Sequence, residues 1–283
     1  MKKLKLIILL ILSYSTFGLS LRVTTFNATC DWCNKGYYDK YKKRKHWIID
    51  TLKRINADVI ALQETRTSRQ LKYLHKKLDG YDLHYTKFKI FKKSDPAFFL
   101  KKGRFKILER GGRWLGPKGD RRISFGWKLS LPRRLFWLKV RDLKTNQELY
   151  LVSTHFDNRR ENKEPSAHIL NNMSLDTSIP IIFAGDTNLR PSMNGFSTLM
   201  NGFIDSFDIK ERLSFLKNSN TEANDSCNLE KAKVFPGCRV DHILLSKGHE
   251  WEVSSWGVDQ YKYGKQKKFT SDHRAYFADI KLK

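Results

Sequence analysis

The sequence predicts one α+β sandwich, in which short strands outnumber helices and sheets pack face to face. Short apolar segments with strand character recur along the whole chain, whereas only a few segments have helical spacing. No internal repeat, low-complexity segment or Pro/Gly-rich linker divides the 283 residues. Because a chain of this length can enclose one large core, these observations favour a single domain behind the N-terminal segment.

Each element is predicted from the period of its apolar residues. Alternation in 21–28 predicts the first strand. Ile48 and Leu52 share one face of a predicted helix over 43–56. The predicted strands are 21–28, 58–64, 82–88, 97–101, 105–109, 135–143, 148–155, 179–186, 239–246 and 275–282. The predicted helices are 43–56, 68–78 and 160–174.

The charge of the chain is strongly one-sided. It has 54 Lys and Arg against 29 Asp and Glu, a formal net charge of +25. Such an excess favours a polyanionic partner: nucleic acid, an anionic membrane surface or a phosphorylated substrate. The basic residues are densest at 40–45, 72–77 and 260–268, where tyrosines lie among the lysines, as in surfaces that contact phosphates and stack bases. Solvated helix faces and loops, or a generally basic proteome, give the same composition.

The first 20 residues are typical of a secretory signal peptide. A lysine-rich start is followed by an apolar run from Leu6 to Leu12 and then by small and polar residues. The run is short for a bilayer span, so a retained membrane anchor is the less favoured alternative. We therefore expect residues 1–20 to be removed and the protein to be secreted or periplasmic. No other stretch is apolar enough to insert stably in a membrane.

The four cysteines, an even number in a chain that we expect to be exported, favour disulfide bonds. The favoured pairing joins Cys30 to Cys33 and Cys227 to Cys238. A zinc site is the alternative, because Cys-x-x-Cys is half of a common zinc motif, although Cys227 and Cys238 are too far apart for a zinc ribbon.

Polar side chains recur where apolar strands end or begin. They are Asn27, Glu64, His155, Asp186, Asn188, Asp272 and His273. Residues just past the ends of buried strands share one rim of a domain, and the strands hold them rigidly. We therefore expect these side chains to meet in one site.

The oxygen-bearing members of this set suit a hard cation. Glu64 and Asp272, helped by Asn27, are the ligand types that Mg²⁺ prefers, with Mn²⁺ or Ca²⁺ as alternatives. A single Glu at a strand end is more often a solvated edge residue, so only the combination predicts a metal site.

The remaining members can carry acid–base chemistry on a phosphate. His155 and His273 can transfer protons near neutral pH. Asp186 can accept a proton or hydrogen bond from an attacking water, and Asn188 can donate to a phosphate oxygen. Singly, a histidine is usually structural and Asp-x-Asn is often a turn. Together with a cation, these groups predict phosphodiester cleavage.

Six short motifs resemble those of the endonuclease/exonuclease/phosphatase superfamily. They are TFN, LQE, STHFDN, GDTN, VDHILLS and SDH, in this order across about residues 21–283. The resemblance implies a deoxyribonuclease I-like, four-layer α/β sandwich: two packed mixed sheets flanked by helices, with a divalent metal at one rim. The set is specific to the superfamily but not to a substrate.

The resemblance also implies roles for several residues. Asn27 and Glu64 match the metal site, with Glu64 as main ligand. His155 matches the histidine that contacts the scissile phosphate and protonates the leaving oxygen. Asp186 and Asn188 match the Asp-x-Asn pair that orients water and phosphate.

Further matches lie near the C-terminus and in the middle of the chain. Asp272 and His273 match the Ser-Asp-His motif, and Asp241 matches the acidic residue that orients the last histidine. Arg133 lies where relatives carry a phosphate-binding arginine, with Arg134 as a rival. The chain departs from the family before the strand at 97–101, where Asp95 is available as an acidic partner of His155.

The favoured function is a secreted, metal-dependent nuclease acting on DNA as a monomer. The net charge, the leader and the basic runs support it. A phosphatase or phospholipase-type esterase of the same superfamily, acting on inositol phosphates or lipid headgroups, is the main alternative. A non-catalytic binding module is the third, although a pure binder has no need of the full set of polar strand ends.

Overall fold

The computed structural model describes residues 18–33, 40–65, 67–86, 95–119, 123–209 and 239–283. Its strands form two six-stranded sheets. The first sheet contains β1 (Leu19–Asn27), β2 (Val59–Gln63), β3 (Tyr81–Tyr85), β4 (Ala97–Lys101), β11 (Trp251–Val258) and β12 (Tyr276–Leu282). The second contains β5 (Phe105–Trp114), β6 (Arg134–Asp142), β7 (Glu148–Ser153), β8 (Ile181–Asp186), β9 (Phe203–Asp205) and β10 (Asp241–Ser246). The helices are α1 (Tyr41–Ile55), α2 (Ser68–Lys77), α3 (Arg160–Asn171), α4 (Asn194–Gly202) and α5 (Ser206–Ile209).

Both sheets are mixed. The first has the strand order β11-β12-β1-β2-β4-β3 and the second β5-β6-β7-β8-β10-β9. β1 pairs with β2 in parallel, and so does β7 with β8, whereas the other neighbours are antiparallel. The parallel pairs bring the ends of β1, β2, β7 and β8 to one rim, while β10 and β12 begin there. The predicted sandwich of two packed mixed sheets is confirmed.

Alternate residues of the strands fill the space between the sheets. In β1 this row is Leu19, Leu21 and Val23, and in β8 it is Ile182 and Ala184. All five are at most 2% exposed. Since full burial of a large aliphatic side chain contributes about 1.5–3 kcal/mol, this inter-sheet core is the main source of stability.

Helices cover the outer face of each sheet. Ile48 and Leu52 of α1 and Leu71 of α2 pack on the first sheet. Leu170 of α3 and Phe196 of α4 pack on the second. The described part of the chain therefore has four layers, with the apolar faces of helices and sheets in contact.

Four elements were not predicted from sequence: β9, β11, α4 and α5. β11 is an edge strand with a register shift between Val253 and Ser255, so its apolar residues do not alternate regularly. α4 carries a glycine at each end of NGFSTLMNG, and packing of Phe196 and Leu199 outweighs its weak helix propensity. β5 continues past the predicted end at 109 to Trp114, because its Gly-Gly pair lies against β6.

The N-terminal predictions fall partly outside the described residues. β1 begins at Leu19, so Leu19 and Ser20 of the predicted leader pair with Leu282 and Lys281 of β12. Residues 1–17 and the expected Cys227–Cys238 bond lie outside the described part of the chain. Within that part, no helix is long and apolar enough to cross a membrane.

Candidate active site

The rows of inter-sheet residues end in polar side chains at one rim. The row of Leu21 and Val23 continues to Asn27, and the row of Ala184 continues to Asp186. Asp186 lies opposite Asp241 in the β8–β10 register and forms a bridge with His155 just past β7. The apolar core between the sheets is therefore followed, at this rim, by a cluster of buried polar groups.

Asn27 and Glu64 meet Asp186 at this rim. The Asn27 Nδ2 donates to Asp186 Oδ2 at 2.9 Å and lies 3.4 Å from Glu64 Oε1. The Glu64 carboxylate also accepts from the Cys30 N–H at 2.9 Å, and the Glu64 N–H donates to Asp95 at 3.1 Å. Main-chain and side-chain groups thus hold Glu64 in one orientation beside Asn27.

Glu64 reaches the rim because β2 ends abruptly. Gln63 occupies the inter-sheet row, since its amide donates to Ser153 of the other sheet at 3.2 Å. In a continuing strand the next side chain would point to the opposite face. Glu64 instead has a φ of 59°, in the left-handed region, which ends the strand and redirects the carboxylate. Such backbone strain in a non-glycine residue is a frequent feature of functional sites.

Two histidines flank Asp186. His155 lies between Asp95 and Asp186, with nitrogen–oxygen distances of 3.5 and 3.4 Å. His273 Nδ1 donates to Asp241 Oδ2 at 2.8 Å, while its Nε2 lies 3.8 Å from Asp186. Asp186 therefore lies beside both histidines, and each ring has a second carboxylate at its other nitrogen: Asp95 for His155 and Asp241 for His273. These carboxylates orient both rings at the rim.

The buried carboxylate of Asp186 stays ionised. Burial alone would raise its pKa, but the charges of His155 and His273 and hydrogen bonds from Asn27 and the Asn188 N–H lower the pKa below its ordinary value. Asp186 is fully buried. The rim therefore contains a negative charge between two imidazoles at neutral pH.

His273 is the protonated partner of this charge. Burial would lower its pKa, but Asp241 first and then Asp186 and Asp272 raise the pKa well above its ordinary value. A raised pKa means that His273 carries a proton through neutral pH and loses it only as the pH rises further. Its stabilising contribution is complete below about pH 6.5, the ordinary value in an unfolded chain, and is lost through the folded-state pKa.

Asn188 is bound to both Asp186 and the His155 segment. Its N–H donates to Asp186 Oδ1 at 2.9 Å, and its Nδ2 donates to the Phe156 carbonyl at 3.0 Å. Its φ is 51°, and its carbonyl accepts from Lys163 at 2.6 Å. Since an amide has two N–H groups, one remains for a phosphate oxygen at the position that the sequence predicts.

Asp272 joins the site through Thr29. The Thr29 hydroxyl contacts both the Asp272 carboxylate and the Ser271 hydroxyl, and the Thr29 N–H donates to Asn27 Oδ1 at 3.0 Å. Asn27 therefore contacts Glu64 directly, whereas Thr29 lies between Asn27 and the Asp272 carboxylate.

The donor chemistry of these residues fits a hard divalent cation. Carboxylates such as those of Glu64 and Asp272, and amide oxygens such as that of Asn27, are the ligand types that Mg²⁺ or Ca²⁺ prefers. Cys30 and Cys33, which also lie beside Glu64, form a disulfide with a Cα–Cα distance of 5.2 Å. The predicted Cys30–Cys33 bond is confirmed, and a thiolate zinc site at this pair is not supported in the oxidised protein.

A family model described as the Endonuclease/Exonuclease/phosphatase family matches residues 25–273. The chain belongs to this family. Family members are typically hydrolases that act on phosphoester bonds, and they generally use divalent metal ions. No curated protein matches the sequence significantly.

Solved structures show the same fold. A family protein from Bacteroides thetaiotaomicron is 23% identical, with a TM-score of 0.76 over 94% of this chain and 99% of that one. A mannosyl-6-phosphatase from the same organism is 22% identical, with a TM-score of 0.75 over 92% and 99%. TDP2 from D. rerio, complexed with a single-strand DNA product, is 19% identical, with a TM-score of 0.68 over 92% and 98%.

The two candidate arginines of this family member differ in their surroundings. Arg134 donates to the Gly112 carbonyl at 3.3 Å, and its guanidinium lies over the Trp114 ring at 5.5 Å. Arg133 instead lies close enough to Asp157, two residues after His155, for its charge to affect that carboxyl. Burial would raise the pKa of Asp157, but hydrogen bonds and the Arg133 charge lower it. The charge of Arg133 therefore reaches the segment that carries His155, whereas the Gly112 hydrogen bond and the Trp114 contact of Arg134 lie on β5.

One buried residue beside the site of this family member was missed from sequence. Arg44 of α1 is fully buried, and its guanidinium donates to the carbonyls of Ala28, Thr29, Cys30 and Thr270. It therefore joins the loop after Asn27 to the loop before Asp272. The sequence does contain a feature that could have indicated this role. Arg44 lies four residues before Ile48, on the apolar face of α1, and an arginine buried there needs hydrogen-bond partners.

Replacing Arg44 with methionine should loosen both loops. We expect the cation concentration for half-maximal activity to rise about tenfold or more, as for other residues that support metal ligands. Cation titrations of phosphodiesterase activity measure this effect. Lys43→Met, at an exposed neighbour on the same helix, is the matched control. An unchanged cation dependence in a folded Arg44→Met protein would remove this positioning role.

The basic segment 260–268 leads directly into the site loop. Lys262, Lys265 and Lys267 are exposed, and two residues after the segment the chain reaches Thr270. Tyr263, by contrast, is buried and stacks on Trp47 with ring centroids 5.5 Å apart. The lysines are therefore available for phosphates, while this tyrosine is structural and cannot stack on a base.

Proposed function

We propose that this protein is a secreted or periplasmic, divalent-metal-dependent phosphodiesterase that hydrolyses DNA. The observation that carries the proposal is the buried, ionised Asp186 between His155 and His273, in contact with Asn27, which also contacts Glu64. Such a cluster is costly to bury without a function, because each charge loses its hydration.

The residues have complementary roles in an in-line attack of water on phosphorus. A divalent cation at Glu64 would neutralise negative charge on the phosphate and favour the attack. Asp186, oriented by Asn27 and by the Asn188 N–H, accepts a proton from the attacking water. Protonated His273, held by Asp241, donates to a non-bridging phosphate oxygen.

His155 supplies the proton that the leaving oxygen needs. The water oxygen forms a bond to phosphorus, its proton goes to Asp186, and the bond from phosphorus to the leaving oxygen breaks. His155, between Asp95 and Asp186, supplies the proton of the leaving oxygen. Arg133 and Asn188 contact the phosphate beside it. The products are an alcohol and a phosphate monoester.

Charge favours a nucleic acid as substrate. The net charge of +25 exceeds what one phosphate needs, and exposed lysines of 260–268 precede the site loop. Export is inferred from the composition of residues 1–20. An exported enzyme would encounter DNA that lies outside the cytoplasm.

A salt series tests the nucleic-acid substrate. We expect DNA binding to weaken by about 10³-fold or more between 50 and 200 mM salt if six or more phosphates are contacted. Binding is measured with the Glu64→Gln variant, which should not cleave the DNA, and inositol phosphate serves as the few-charge control. Replacing Lys262, Lys265 and Lys267 with Gln should make the slope shallower without changing cleavage of a minimal phosphodiester. No DNA binding at low salt would exclude the nuclease.

A phosphatase is the second candidate. The specific observation is the mannosyl-6-phosphatase with the same fold, although 22% identity shows the fold alone. Incubation with plasmid DNA, RNA, phosphoinositides, sphingomyelin and sugar phosphates, with Mg²⁺, Mn²⁺ or EDTA, separates the two. Release of inorganic phosphate without nicking of the plasmid would establish the phosphatase.

A further inference from the structure

A groove with an aromatic wall lies beside the active-site segment. Its volume is about 770 Å³, within the roughly 300–1,000 Å³ of small-ligand sites. Trp127, 40% exposed, forms one wall, and α3 forms the other. The polar lining residues are Arg113, Arg160, Glu161, Glu164, His168 and Asn172. The proposed phosphodiesterase chemistry uses none of these residues.

The wall that carries Trp127 is held in place. Asn162 of α3 is buried, and its amide pairs with the main chain of Lys128: the Lys128 N–H donates to Oδ1 at 2.7 Å, and Nδ2 donates to the Lys128 carbonyl at 2.8 Å. Nδ2 also donates to Asp157 at 2.6 Å. Gly126 has a φ of 82°, and a Cβ there would lie 2.6 Å from the Asn162 amide. The indole is thus presented to solvent by an ordered segment.

The same contacts connect the groove to the reaction site. Asp157, which accepts from Asn162, is two residues after His155 and is influenced by the charge of Arg133. α3 begins at Arg160, and the eight helical steps from there to His168 span about 12 Å. The groove therefore runs along α3, whose first turn is hydrogen-bonded to the segment that carries His155, and its length along the helix matches a few stacked nucleotides.

The lining fits a nucleobase better than a phosphate backbone or a membrane. An exposed indole is a stacking platform for any base. Glu161 and Glu164 would repel a row of phosphates or an anionic lipid surface, but carboxylates accept hydrogen bonds from the amino groups of bases. Arg113 and Arg160 can hold the phosphates on either side of a stacked base.

We propose that this groove binds unpaired bases of a single-stranded nucleic acid next to the scissile phosphate, with Trp127 as the stacking surface. This inference rests on the proposed nuclease function and adds a preference for single strands, because a base within a duplex cannot reach the indole.

The test compares a single-stranded 12-mer with a 12-mer of the same length in which every base is replaced by an abasic unit. EDTA prevents cleavage during the binding measurement. Wild-type protein should bind the normal strand about tenfold more tightly, because stacking depends on the bases and not on the phosphates. Trp127→Ala should bind both strands equally, and Trp127→Phe should lie between. Leu143→Ala, at an exposed apolar residue in the β6–β7 turn, is the control.

Hydrolysis of bis(p-nitrophenyl) phosphate with Mg²⁺ is measured in parallel for the wild type and for Leu143→Ala, which should not differ. Base-dependent binding without hydrolysis of any phosphodiester would support the groove and remove the proposed function. Hydrolysis with equal affinity of the wild type for both strands, or no binding of either strand, would overturn the groove assignment. Anionic phosphatidylserine vesicles that bind wild type but not Trp127→Ala would overturn it too, in favour of a lipid surface.

Discussion

Glu64→Gln is expected to lower kcat by about 10³-fold or more, which corresponds to about 4 kcal/mol of transition-state stabilisation. The amide keeps the shape of the side chain and can still accept from the Cys30 N–H, but it loses the charge that holds a divalent cation. Steady-state hydrolysis of plasmid DNA and of bis(p-nitrophenyl) phosphate across a Mg²⁺ series measures the loss.

The matched control is Glu109→Gln, which removes a carboxylate that is 59% exposed on β5. Both variants should melt within a few degrees of the wild type, because neither substitution changes the inter-sheet core. Near-normal turnover of Glu64→Gln at low Mg²⁺ would show that the cation does not depend on this carboxylate.

Asp186→Asn is expected to have a comparable effect, with a drop in kcat of about 10³-fold or more. The substitution removes the acceptor of the water proton and one of the carboxylates that raise the pKa of His273. The pKa of His273 should therefore fall. If its protonated form is required, the remaining activity should decline at a lower pH than in the wild type, since His273 then loses its proton earlier as the pH rises.

NMR titration of the histidine ring protons follows this shift directly, independently of turnover. Asp176→Asn, at an exposed position before β8, is the control and should change neither kcat nor the His273 titration. A variant that retains the His273 pKa of the wild type would show that Asp186 does not act on that ring, whatever its effect on kcat.

The strand ends could be predicted because they follow a simple period. Two-residue alternation in β1 and β8 carries the inter-sheet face from Val23 and Ala184 to Asn27 and Asp186. Their motifs also indicated the family before the fold was known. The same rule fails at Glu64, where the alternation assigns the inter-sheet position to Gln63 and the left-handed φ of Glu64 breaks the pattern.

Two further features required the packed structure. Arg44 looks like one more basic residue in the run at 40–45, and only the burial of α1 against the loops shows that it binds their carbonyls. Tyr263 looks like a base-stacking residue among lysines, yet Trp47 and the Thr51 hydroxyl hold it in the interior. In both cases the partners lie at least 14 residues away along the chain, so local composition does not identify them.

The sequence by itself determined the sandwich, the family and the set of polar residues at the strand ends, because apolar periodicity and short motifs are local properties. Only the tertiary structure decided which atoms meet. Asn27 and Asp186 are 159 residues apart, and their hydrogen bond exists because two sheets pack face to face. The protonation of His273 was decided in the same way, since its pKa depends on burial and on carboxylates from β8 and β10 that only packing brings within reach.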